Sequence, residues 1–151
     1  MGRQATIVRG LLAGAAGTAV LDAVTYLDMA TRGRPASTTP ERSVERLAKA
    51  GHIPLGAGES AGNRRTGLGA LLGYATGAGV AAGYCALVGR RLPWPAAAAL
   101  LTAAAMAGSN APLTLLRVTD PRHWSAADWV ADVVPHLAYG AVTAATLDRL
   151  R

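Results

Sequence analysis

Residues 67–89 form a run of 23 residues without a charged side chain, bracketed by Arg64-Arg65 and Arg90-Arg91. At roughly 1.5 Å per residue, a helix of that length exceeds the roughly 30 Å hydrocarbon layer of a bilayer. Inside hydrocarbon a segment must pair its own backbone N–H and C=O groups, so the run predicts a membrane-spanning α-helix. The rest of the 151-residue chain has the same character. Charged residues make up 16% and hydrophobic residues 51%. A soluble domain usually carries about a quarter charged residues. Here the charges fall in clusters, separated by stretches rich in Ala, Gly and Leu.

Three further stretches read as spans, at about residues 5–30, 95–116 and 126–150. In the first, Arg32, Arg34 and Pro35 end the helix. In the third, Pro112 lies near the end and is expected to kink or stop it. The fourth opens with Ser125 as cap and Asp128 three residues later, a capping box, with Trp124 and Trp129 placed for a hydrophobic staple. These tryptophans also suit a membrane interface. Residues 31–66 read as an aqueous connection. Within it Thr39 is expected to cap a short amphipathic helix, with Pro40 and Glu41 in the first turn and Gly51 as its stop. Val44, Leu47 and Ala48 would share its apolar face, lying on the membrane surface or packed on the bundle end. Residues 56–63 read as a flexible linker. The expected fold is all-α: an integral membrane four-helix bundle in one transmembrane domain, with a short amphipathic helix in the first loop.

Two targeting patterns at the start have simpler explanations. Met1-Gly2 with Thr6 matches a myristoylation pattern, which is eukaryotic. Arg3, Arg9 and the apolar stretch from Gly10 to Leu21 resemble a signal peptide. The small-residue site Ala13-Gly14-Ala15 falls too early in that stretch, so an uncleaved first helix is expected.

The net charge of +6 comes almost wholly from arginine. Because the basic residues flank apolar runs, their expected partner is anionic lipid rather than nucleic acid. The termini and the second loop carry Arg3, Arg9, Arg90, Arg91, Arg149 and Arg151. The first and third loops carry Arg32, Arg34, Arg42, Arg46, Lys49, Arg64, Arg65, Arg117 and Arg122, which leans those loops towards the cytoplasm. The single cysteine, Cys85, makes no intrachain disulfide and reads as a small apolar residue.

Packing in lipid relies on close approach, which small residues allow. Gly69, Gly73, Gly77, Gly79 and Gly83 on the second span, and Gly10 and Gly14 on the first, are the expected contact points. They point to packing within the bundle, and secondarily to a seam with a second copy or another membrane protein.

Ionisable groups at bilayer depth usually face the bundle interior. Thr18, Asp22 and Tyr26 form one stripe on the first helix, and Asp132, His136, Tyr139 and Thr143 form another on the last. Ser109 and Asn110 join from the third. The candidate polar interior is therefore Asp22, Tyr26, Asn110, Asp132, His136 and Tyr139. Histidine titrates near neutral pH, and Asp132 one turn away is an acidic neighbour for it. Asp28 and Asp128 sit near helix ends, and His52 and His123 read as exposed loop residues without partners. No nucleotide loop, nucleophile elbow or sufficient metal-ligand set is present, so no cofactor, metal or catalytic residue is expected.

The stretch Ala111-Pro112-Leu113, Val118-Thr119-Asp120-Pro121, Trp124 and Asp132-Val133-Val134-Pro135-His136-Leu137 resembles the C-terminal half of YagU-like bacterial inner-membrane proteins. Gly10-Leu11-Leu12-Ala13-Gly14 is similar to their first helix. Pro135 stands where that family has a Gly before the His, and the middle loop does not match. The resemblance implies a bacterial multi-pass inner-membrane protein. It fits a composition heavy in Ala, Gly and Arg, with one Lys and no Phe. The expected function is non-enzymatic packing or assembly, modulated by pH through His136. The alternative is a small transporter or a proton or ion pathway using Asp22, Asp132 and His136.

Overall fold

A computed structural model describes residues 3–88 and 92–150. Gly89, Arg90, Arg91, Arg151 and the Met1-Gly2 pattern lie outside the described residues. Among the described residues five α-helices form: α1 (Arg3–Arg32), α2 (Thr39–Ala50), α3 (Gly58–Val88), α4 (Trp94–Leu115) and α5 (Ala126–Arg149), with one 3-10 turn at Pro121–His123. There is no strand among the described residues. Helices α1, α3, α4 and α5 are each long and apolar enough to cross a membrane. The protein is a multi-pass helical membrane protein.

The four long helices alternate in direction. Gly10 of α1 lies against Ala82 of α3, and Gly14 against Gly77 and Ala78, so these two run antiparallel. Gly140 of α5 lies against Ala98 and Thr102 of α4, while His136 reaches back to Ser109. Helix α1 packs on α3 and α5, and α4 packs on α5 and over a shorter stretch on α3. The result is an up-down bundle in which α1 also closes on α5, the last helix of the chain. Ala13, Ala81, Tyr84, Leu101, Ala105, Tyr139, Ala144 and Leu147 form its core. In α5, 39% of the most apolar stretch is buried, against 11% in α3, so α5 is the central element and α3 the peripheral one.

The connection after α1 departs from expectation in three ways. First, the linker expected at 56–63 is largely helical, because α3 begins at Gly58, nine residues before the apolar run. Local Gly and Ser content is overridden by packing: Ala61 is buried, α2 packs on α3, and Arg64 donates to the Leu55 carbonyl at 2.8 Å. Second, Thr39 is the first helical residue of α2 rather than its cap. The residue before it, Thr38, makes no side-chain cap bond, and Ser37 Oγ accepts from the Thr39 N–H. Third, the buried face of α2 is Ser43, Val44 and Ala48, while Leu47 stays 45% exposed. That face packs on α3, with Pro40 closing on Gly69.

The helix ends are closed locally. Asp28 binds Arg32 at 2.9 Å and also Arg34, which anchors the end of α1. Gly51 caps α2, but the left-handed residue that turns the chain is His52, with φ 56°. The Ile53 N–H then bonds the Ala48 carbonyl and the His52 N–H bonds that of Lys49, a Schellman closure. Helix α4 closes in the same way around Arg117, φ 55°, through Val118 to Leu113 and Arg117 to Thr114. Pro112 is accommodated inside the last turn of α4 and Pro135 inside α5. The α5 capping box forms as expected, and Trp124 meets Trp129 edge to face at 5.0 Å.

Candidate functional site

Glycine contacts decide how closely the helices approach, and the structure divides the expected ladder. Gly77 is buried: a Cβ there would meet the Thr18 hydroxyl, and Tyr139 Cε2 at 3.2 Å. Gly69 meets Pro40 of α2 rather than another long helix. Gly73, Gly79 and Gly83 have no neighbour within 4 Å of a Cβ position and do not pack inside the bundle. The reason is rotational: α1 meets α3 along the Gly77 and Ala81 side, leaving the remaining glycines on other faces. Gly17 and Gly140, which four-residue spacing on α3 does not reveal, are true contact points. A Cβ at Gly17 would meet Thr143, and Tyr139 Cδ2 at 2.8 Å; one at Gly140 would meet Thr102, and the Ala98 carbonyl at 2.5 Å. Their signal in the sequence is a small residue close to a Thr, Thr18 beside Gly17 and Thr143 one turn after Gly140.

Through this close approach Tyr139 enters the centre of the bundle at 1% exposure. Its hydroxyl donates to the Gly77 carbonyl at 2.7 Å, across the diagonal from α5 to α3. Tyr139 is thus a packing residue with a satisfied polar tip.

The polar cluster lies one to two turns before Tyr139, towards the start of α5. His136 is 9% exposed. Its Nδ1 lies 2.7 Å from the Asp132 carbonyl and 3.6 Å from Asp132 Oδ1. A carbonyl accepts only, so Nδ1 carries the proton and Nε2 of the neutral ring is free to accept. Nε2 faces Ser109 Oγ of α4 at 3.4 Å. Asn110 Nδ2 donates to Asp132 Oδ2 at 3.0 Å. Asp132, His136, Ser109 and Asn110 therefore form one α4–α5 cluster. The hydroxyls of Ser109 and Thr114 bond the carbonyls of Ala105, Met106 and Asn110, not that of Gly108, which Pro112 leaves without its donor.

The α1 stripe does not join this cluster. The antiparallel register that sets Gly17 against Tyr139 and Thr143 brings Asp22 to the depth of His136. Asp22 is half-buried, yet it makes no hydrogen bond or ion pair among the described residues. Tyr26 is 62% exposed and faces away from the interior. A helix carries only a narrow stripe inward, and Thr18 is the residue of this stripe that meets Gly77, while Tyr26, two turns on, has rotated onto an exposed face.

Asp132 and His136 are joined by no third His, Cys, Asp or Glu in a metal-holding group among the described residues. In the last loop, His123 is not alone: its Nε2 lies 3.6 Å from Asp120. Asp120 is bound chiefly by the Arg122 guanidinium and by the Arg122 N–H, which hold its carboxyl down at about 2. Asp128 closes the α5 cap through Ser125. Comparisons of the chain with family models, curated proteins and solved structures each find no match.

Proposed function

We propose that this protein works by helix packing and assembly in a bacterial inner membrane, without catalysis of its own, and that His136 tunes the α4–α5 contact with pH. The observation that carries the reading is the pairing of both His136 nitrogens. Nδ1 donates to the Asp132 carbonyl in either protonation state. Nε2 faces the Ser109 hydroxyl, whose own proton goes to the Ala105 carbonyl and whose lone pair accepts from Nε2–H once the ring is charged. The Asp132 carboxylate at 3.6 Å is the counter-charge for the charged form. From α4 the groups facing the ring are neutral, Ser109 and Asn110; from α1, packed on α5, Asp22 stands at the same depth without contact. Protonation therefore strengthens a bond between two helices rather than exposing a charge to lipid.

Assembly is supported by α3. Its open face carries Gly79 and Gly83 with room for another backbone, beside Leu87 at 87% exposure. Membrane lipid, a second copy or another membrane protein is the partner such a face takes. The resemblance of the C-terminal third to YagU-like proteins supports the bacterial inner membrane, and the excess of basic residues in the first and third loops leans the α2 end towards the cytoplasm. Crosslinking in liposomes across about pH 5–8, the range in which His titrates, tests the reading. A pH-dependent oligomer that loses its pH dependence in His136→Gln is expected. Monomers alone at every pH would sink it.

A transporter or proton pathway through Asp22, Asp132 and His136 is the second reading. The α4–α5 pair favours it, and the isolation of Asp22 from that pair disfavours it. Proton flux into liposomes that is abolished by Asp132→Asn and by Asp22→Asn would select it over assembly.

A further inference from the structure

The loop between α4 and α5 holds an open depression of about 500 Å³ lined by Thr114, Arg117, Val118, Thr119, Asp120 and Arg122. It sits where two spans leave the apolar layer. Its flank is apolar and outward-facing: Leu115 is 84% exposed, Val130 55% and Trp129 41%. Trp124 is held there by donating Nε1–H to Thr119 Oγ1 at 2.8 Å, with its ring against Trp129. Indoles in this position suit the headgroup layer, where one edge is apolar and the other wet.

The charges in the depression are not equivalent. Arg122 is committed to Asp120, through Nε at 2.9 Å and Nη2 at 2.8 Å. Arg117 makes no hydrogen bond or ion pair through its side chain among the described residues. The C-terminus of α4 opposes an anion with about half a negative charge. That opposition is reduced because the Pro112, Leu113 and Thr114 carbonyls are already bonded by the closing turn. One full guanidinium charge outweighs the remainder, so the depression keeps a net positive charge. The α5 N-terminus offers nothing to an outside anion, since Ser125 and Asp128 close it.

We propose that this depression holds the phosphate of an anionic phospholipid, with Arg117 as its charge partner and the Trp124–Trp129 pair against the glycerol and upper acyl chains. A phosphate could equally come from solution, and the apolar flank of Leu115, Trp129 and Val130 is what commits the site to a lipid. The inference does not depend on the assembly reading.

The test uses the full chain with Trp94→Phe, which leaves Trp124 and Trp129 as the only tryptophans. It is reconstituted in phosphatidylcholine vesicles containing a small fraction of brominated phosphatidylglycerol or, separately, brominated phosphatidylcholine. Bromine quenches indole at contact, so stronger quenching by phosphatidylglycerol reports occupation. Arg117→Gln is expected to weaken that preference about tenfold, the scale of one hydrogen bond to a charged group. Arg117→Lys keeps the charge and is expected to retain most of the preference, which separates loss of charge from loss of fold. Arg149→Gln removes the same charge at the far end of α5, 24 residues or roughly 36 Å away, well beyond the roughly 10 Å screening length, and is expected to change nothing. Inorganic phosphate added to the vesicles is expected not to relieve quenching. Equal quenching by the two lipids, an Arg149→Gln effect as large as that of Arg117→Gln, or displacement by inorganic phosphate would each overturn the proposal.

Discussion

The Tyr139 hydroxyl donates to the main-chain carbonyl of Gly77 at 2.7 Å, joining two helices that lie diagonally across the bundle. The bond exists because Gly17 and Gly77 have no side chains to keep the ring out. Hydrogen bonds between membrane helices average about 0.6 kcal/mol, because the unfolded chain also finds partners. Tyr139→Phe is therefore expected to lower stability by about 0.5–1 kcal/mol. Gly77→Ala keeps the tyrosine but places a methyl against Thr18 and the ring, and overpacking of this kind costs about 1–3 kcal/mol. Unfolding titrations in mixed micelles should rank the two in that order; a costlier Tyr139→Phe would mean that the hydroxyl, not the packing, holds the diagonal.

Glycines on the same helices should divide sharply. Gly14→Ala drives a methyl to 2.5 Å from the Gly77 carbonyl and is expected to loosen α1 from α3. Gly79→Ala and Gly83→Ala meet nothing inside the bundle and are expected to be neutral or stabilising by up to about 1 kcal/mol, through helix propensity. Gly79→Leu is expected to leave the fold intact while reducing crosslinked oligomer. Equal sensitivity at Gly14 and Gly79 would contradict the helix rotation described above.

Asn110 is the amide partner of Asp132 at 3.0 Å. Asn110→Leu strands that oxygen in an apolar setting, at an expected cost of about 1–3 kcal/mol. Replacing both residues by Leu is expected to recover part of the loss, because the stranded acceptor is gone as well. A strictly additive double variant would show that the two side chains do not depend on each other.

Asp120 gives the clearest pH prediction. Arg122 holds its carboxyl at about 2, below its ordinary value of 3.8. A depressed native value means that its contribution is complete above the unfolded value and is lost as pH falls through about 2. The loop should thus keep its Asp120–Arg122 contact through ordinary acidification. A carboxyl-carbon NMR titration should find this midpoint near 2, and Arg122→Gln should move it up towards 3.8. An unchanged midpoint in Arg122→Gln would remove the guanidinium as the cause.

Much of this architecture was legible from residue order. A charge-free run at 67–89 requires a helix in lipid, and α3 contains it. The α5 start was legible to the residue, since Ser125, Asp128, Trp124 and Trp129 act within one turn of each other. Asp132 and Asn110 were recognisable as interior groups because polar side chains at that depth have few other places to go.

Rotation and register between helices were not legible, because every face of an Ala/Gly-rich span looks alike in sequence. The chain by itself determined four stretches long and apolar enough to span, the capping box that opens α5, and Asn110, Asp132 and His136 as polar groups to look for between helices. Only the tertiary structure decided that Gly77 packs while Gly79 and Gly83 stay open, that His136 meets Ser109 while Asp22 meets nothing, and that residues 58–66 belong to α3. The physical reason is range. Backbone pairing and capping act within a few residues, whereas the choice of inward face comes from how closely two backbones can approach.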